Sequence, residues 1–232
     1  MARQTAISIN TIPIGPLGII GMPGCEELTD KIDKYLVKWR KTQASEHAES
    51  IAFFGYQRDT YKIDVSIPRF GSGEGKGVIN ESVRGYDIYI VCDVFNYSCS
   101  YDMYGRKVYM SPDDHFADLK RVISALCSKP KRVSVIMPML YEGRQHKRSS
   151  RESLDCAMAL KELVHLGVEN IITFDAHDQR VQNAIPDKSF ENVMPTYQMI
   201  KALVNNVEDL NVDKDHLMII SPDEGALHRC IY

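Results

Sequence analysis

The 232-residue chain has no Cys-x-x-Cys pair, no apolar run of membrane-spanning length, no internal repeat and no surplus of basic charge. Each absence narrows the function. Its six cysteines (Cys25, Cys92, Cys99, Cys127, Cys156, Cys230) fit neither a zinc ribbon nor a disulfide scaffold. Four of them lie in apolar runs or predicted helices, so they read as reduced, mostly buried thiols of a cytoplasmic protein. The opening MARQTAISINTIPIGPLG carries prolines where a signal peptide needs an unbroken apolar stretch. No membrane span is expected. With 28 Lys and Arg against 31 Asp and Glu, the net charge of -3 is wrong for a domain that coats nucleic acid through bulk charge. Any anion site must be local.

Positive charge is nevertheless concentrated in one place. The stretch YEGRQHKRSSRES (141–153) holds Arg144, Lys147, Arg148 and Arg151 within eight positions and no acid between Glu142 and Glu152. Around it, apolar runs predict strands buried on both faces: LGIIG (17–21), DIYIVCDVF (87–95), RVSVIMPM (132–139), NIITF (170–174) and HLMIIS (216–221). Helical stripes lie between them. Leu28, Ile32, Tyr35, Leu36 and Trp39 form one; Phe116, Leu119, Ile123 and Leu126 a second; Cys156, Leu160, Leu163 and Val164 a third. For the third helix, Ser149–Glu152 fits a capping box, His165 falls in the last turn and Gly167 suits the C-terminal cap. KTQASEHAES (41–50) reads as a polar loop, and the Tyr-rich segment 96–114 suggests a hairpin turning at Gly105. Alternating strands and helices imply an α/β fold, a parallel sheet with helices on both faces.

Open parallel sheets bind ligands beyond the carboxyl ends of their strands, where loops and helix N-termini converge. Three polar clusters follow predicted strands: the basic run, Asp175-Ala-His177-Asp178, and Ser221-Pro-Asp223-Glu224-Gly225. Guanidinium groups grip phosphate oxygens in pairs, so the basic run suits a polyphosphate. The acids and His177 suit the metal that such a ligand brings. Plainer readings stand beside these: a solvated basic loop, a hydrogen-bonded structural histidine, and Asp223 as a helix cap. The glycines of GIIGMPG (18–24) do not fit G-x-G-x-x-G, which argues against a dinucleotide-binding oxidoreductase; they more simply make a tight strand-to-helix turn.

At these residues the sequence resembles the ribose-phosphate pyrophosphokinases. The matching motifs are Arg144-Gln145, the Asp175-x-His177 of TFDAH, Ser221-Pro-Asp223-x-Gly225, and RFGSGEGKGVINESVRGYDIYIV (69–91). The resemblance runs, with gaps, from about Leu17 to the end. It implies a phosphoribosyltransferase-like three-layer α/β/α domain over 1–194, the ATP-binding one, and the beginning of a second similar domain over 195–232. It also implies Mg2+-dependent transfer of pyrophosphate from ATP to ribose 5-phosphate, giving phosphoribosyl pyrophosphate and AMP for nucleotide biosynthesis. Carried over, Phe70, Ser72 and Glu74 would hold the adenine, and Arg144, Gln145 and Lys147 would hold ATP. His177 and Asp223 would meet the metal, with Asp175 in support. A cytoplasmic homo-oligomer with no nucleic-acid or membrane partner is implied, the adenine loop reaching into a neighbour. The ribose-phosphate loop and the transition-state cations of the family are expected beyond Tyr232. This would make the chain the N-terminal portion of a longer enzyme, inactive alone. The alternative is a non-catalytic regulatory relative that binds ATP and assembles with the synthetase.

Overall fold

The computed structural model of the chain describes residues 13–46, 57–208, 210–227 and 230. These fall into two compact units, one up to Val193 and one from Met194 onward. In chain order the first unit contains β1 (Leu17–Gly21), α1 (Glu26–Glu46), β2 (Val65–Ser66), β3 (Val78–Ile79) and β4 (Asp87–Val91). There follow β5 (Ser100–Met103), β6 (Arg106–Tyr109), α2 (Pro112–Ala125), β7 (Arg132–Met137), α3 (Asp155–His165), β8 (Asn170–Phe174) and β9 (Ser189–Val193). Five strands form one sheet in the order β1-β4-β7-β8-β9, and every pairing is parallel.

Alternation along each strand divides the core between two faces. Ile20, Ile88, Ile90, Val133, Val135, Met137 and Ile171 pack with Phe116, Leu119 and Ile123 of α2 and with Cys156, Leu160 and Leu163 of α3. Ile19, Val91 and Ile136 face the other way, toward Ile32, Leu36 and Val37 of α1. The chain is thus an α/β fold with helices on both sides of a parallel sheet. The change of face has a topological cause. After α1 the chain returns to the outer edge of β1, where Ile19 donates to Tyr61 and Ile63 donates back to Ile19 at 2.7 and 2.8 Å. Only then does it cross to β4, so the winding direction reverses at β1 and right-handed crossovers place α1 opposite α2 and α3. The buried carboxylate of Asp33 on α1 fixes that return by accepting from the Tyr61 amide at 2.7 Å and the Thr60 hydroxyl at 2.9 Å.

Four of the five expected strands are present. HLMIIS (216–221) is not: Met218, Ile219 and Ile220 are 69 to 80% exposed and unpaired with any strand. A strand takes its hydrogen bonds from a neighbour, and among the described residues of this unit there are α4 (Thr196–Asn206), a 3-10 turn at Glu224–Ala226 and helical residues at Leu227 and Cys230, but no strand. The polar segment 41–50 continues α1 to Glu46 rather than opening a loop, and 47–50 lie outside the described residues. Lys, Gln, Ala and Glu are good helix formers, so the polar run extends α1 without an apolar stripe. The inward stripe of α1 is also shifted: Thr29, Ile32, Asp33 and Leu36 face the sheet, while Leu28, Tyr35 and Trp39 are exposed. A buried Thr and Asp, each hydrogen bonded, hide that face from an apolar pattern. All six cysteines are free, but only Cys25, Cys92 and Cys156 are buried. No helix among the described residues is long and apolar enough to cross a membrane.

Candidate functional site

The basic run leaves the sheet at the carboxyl end of β7, and its root is fixed. Tyr141 stacks on Phe116 with ring centroids 4.3 Å apart, and its hydroxyl donates to Asp113 at 2.6 Å. Burial and that carboxylate push the Tyr141 phenol well above its ordinary range. Glu142 takes a left-handed φ of 55°, and the Gln145 amide closes the turn onto its carbonyl at 2.9 Å. Beyond the root the side chains of Arg144, Lys147, Arg148 and Arg151 are exposed, and Gln145 is half-buried. The expected capping box at 149–152 is only half made. Glu152 accepts from the amides of Ser149 and Ser150 at 2.7 and 3.0 Å, closing a turn, and α3 begins three residues later at Asp155 without a side-chain cap. These amides hold the Glu152 carboxyl below its ordinary value. His165 and Gly167, at φ 97°, end α3 as expected.

The Asp-x-His turn leaves the adjacent strand, β8, at the same edge. Asp175 sits at φ 44° with its amide bonded to Val193 of β9, and the Asn192 side chain accepts from the Ala176 amide at 2.8 Å. This bends the chain so that His177 is exposed. Asp178 then caps a 3-10 turn, Gln179–Ala184, and pairs with Arg180, which holds its carboxyl far below the usual range. The two loops meet. The rings of His146 and His177 lie 5.1 Å apart, and His146 Nε2 is 3.4 Å from Asp178. His146 carries no periodic or motif signal, so sequence reasoning passed over it.

Phe70, Ser72 and Glu74 occupy a separate tight turn between β2 and β3. Phe70 donates to Glu74 and Gly73 to Phe70 through the backbone at 2.9 and 2.8 Å, and the Ser72 hydroxyl donates to the Glu74 carboxylate at 2.7 Å. The Phe70 ring is 57% exposed. Arg69 anchors the turn to α2: its guanidinium binds the buried Asp118 at 2.6 Å, which also takes Arg121. Burial pushes the Asp118 carboxyl up and the two guanidiniums oppose it. In the second unit, Asp223 accepts from the Ala226 amide at 2.8 Å, the capping role that its position allows.

Among the described residues no group of three or more His, Cys, Asp or Glu is arranged to hold a metal. Mg2+ commonly takes one or two protein groups and fills its octahedron from phosphates and water, and the Asp175 and His177 turn has groups of that kind.

A parallel sheet wound in two directions, with polar loops gathered at its carboxyl edge, defines an open α/β domain of the architecture that binds ligands at that edge. Residues 17–167 match the N-terminal domain of ribose phosphate pyrophosphokinase, and the chain belongs to that family. Among its curated relatives, the ribose-phosphate pyrophosphokinases of Vibrio parahaemolyticus and Aquifex aeolicus are each 25% identical, over 169 and 171 residues. These alignments cover 72% of this chain and 47 and 48% of the relatives, so the chain spans about half their length. The crystal structure of phosphoribosylpyrophosphate synthetase from Mycobacterium smegmatis shares the fold, with a TM-score of 0.60 and 18% identity over 82% of this chain and 52% of that one.

Proposed function

We propose that the chain supplies the ATP-binding part of a ribose-phosphate diphosphokinase, which transfers pyrophosphate from ATP to ribose 5-phosphate for nucleotide biosynthesis. The observation that carries this reading is the meeting of the basic loop and the Asp-x-His turn through His146, His177 and Asp178. Two loops from neighbouring strands thereby present cations and a metal-capable turn to one place. Arg144, Gln145 and Lys147 would hold the phosphates, and the exposed Phe70 ring with Ser72 and Glu74 would hold the adenine, Glu74 accepting from its amino group. Asp175 and His177 would face a nucleotide-borne Mg2+. When bound, that ion neutralises phosphate charge as it redistributes during transfer. The chain's own cations would orient the triphosphate and offset part of its charge through paired guanidinium contacts.

The adenine turn is anchored to α2 through Arg69 and Asp118 and to the hairpin, with no hydrogen bond or ion pair to the basic loop among the described residues, which suits a homo-oligomer in which it completes a neighbour's site. Free thiols and a soluble phosphorylated substrate suit the cytoplasm. The test is AMP release by the full-length protein. Release that depends on ribose 5-phosphate supports a diphosphokinase, and ATP binding without such release identifies a non-catalytic relative.

A further inference from the structure

The Tyr-rich hairpin β5–β6 is a large feature among the described residues of the first unit that the proposed reaction leaves without work. It turns through Tyr104 and Gly105, at φ 49° and 74°, as a two-residue hairpin with both central residues left-handed must. Its inner edge lies on the adenine turn. The Tyr104 amide donates to the Gly71 carbonyl at 2.9 Å. The Tyr101 ring lies 4.3 Å from the Arg69 guanidinium, stacked in a cation–π contact. Gly73, at φ 91°, presses so close that a Cβ there would stand 3.0 Å from Met103 Sδ and 3.2 Å from Tyr101 Cε2.

Arg69 is therefore held from three directions: by the Gly73 carbonyl of its own turn at 3.1 Å, by Asp118 of α2, and by the Tyr101 ring. The hairpin itself is anchored independently of the turn. Met110 donates to Cys99 at 2.9 Å, His115 Nε2 lies 2.8 Å from the Asn96 carbonyl, and the Asn96 side chain donates to Gly24 at 3.0 Å.

From this we infer that the hairpin is a brace that sets the adenine turn, with Tyr101 a positioning residue for nucleobase recognition acting through Arg69. The inference rests on Phe70 and Glu74 being the base site. A loop that must bind a flat ring with one exposed aromatic gains affinity when it is ordered beforehand, because less conformational freedom is lost on binding. Tyr101 supplies that order without touching the ligand.

Calorimetry of the full-length protein with ATP and with inorganic tripolyphosphate, both with Mg2+, separates base from phosphate binding. Tyr101→Leu keeps apolar bulk but loses the ring face. It should bind ATP about fivefold more weakly, the scale of one cation–π contact, with tripolyphosphate affinity unchanged. Tyr101→Phe keeps the face and should bind ATP as the unaltered protein does. Unchanged ATP binding by Tyr101→Leu, or equal loss of both ligands, overturns the brace. If the unaltered protein binds the two ligands equally, and Phe70→Ala changes neither, the base-site reading itself fails and takes this inference with it.

Discussion

The adenine turn and the basic loop differ in how they are held, although both are tied to α2. Arg69 of the turn binds Asp118 at 2.6 Å, and Tyr141 at the root of the loop reaches Asp113 at 2.6 Å. The adenine turn rests on a buried ion cluster and a hairpin, and its chemistry is a shape. The basic loop is pinned at its root and open beyond it, and its chemistry is charge. On the proposed reading, rigidity is concentrated where a flat base would be matched, whereas the exposed cations would follow phosphate oxygens that differ in position from one state to the next. Energetically, a mutation in the buried support of the first region should show up first as lost stability, and one among the exposed cations of the second as lost affinity alone.

The largest expected effect breaks the buried cluster. Asp118→Ala strands Arg69 and Arg121 beside a 2% exposed position, and unfolding in urea should show a loss of about 3 to 5 kcal/mol. Arg144→Ala should leave stability within about 0.5 kcal/mol and instead weaken ATP binding by about tenfold or more, as for one lost charge-assisted contact. Equal stability losses in the two variants would erase the contrast. Next in size is Gly73→Ala, which forces a side chain into left-handed backbone against Met103 and Tyr101. It should cost about 1 to 2 kcal/mol of stability. The smallest effect is local. The Glu152 carboxyl is held below its ordinary value of 4.5, so its bonds to Ser149 and Ser150 are complete above that pH and fail only as pH falls through the lowered value. Hydrogen exchange should show these two amides protected at pH 6 and released in stronger acid, with Glu152→Gln blunting the pH dependence.

The sheet was largely legible because strands buried on both faces read as unbroken apolar runs, and four of them begin where the pattern places them. β9, SFENV, was not foreseen, since an edge strand alternates and buries little. HLMIIS shows the converse: the same composition as a core strand, with no partner among the described residues, stays exposed. In the site, the basic loop and the Asp-x-His turn could be found because each follows a strand. What joins them could not. Arg69 and Asp118 are 49 residues apart, Tyr101 meets Arg69 through a hairpin packing contact, and His146 meets His177 across two strand ends. Such pairings have no period and no spacing; only the folded chain brings them together. The buried Asp33, which an apolar stripe cannot reveal, is a further case.

The central claim is that the exposed cations after β7 and the turn after β8 serve a metal-bound triphosphate. Titration calorimetry of the full-length protein with Mg-ATP and with NAD tests it most directly. The account predicts that Mg-ATP binds more tightly, and that Arg144→Ala weakens it. Tighter binding of NAD, or Mg-ATP binding that ignores Arg144, would contradict it and leave the basic loop as solvated surface.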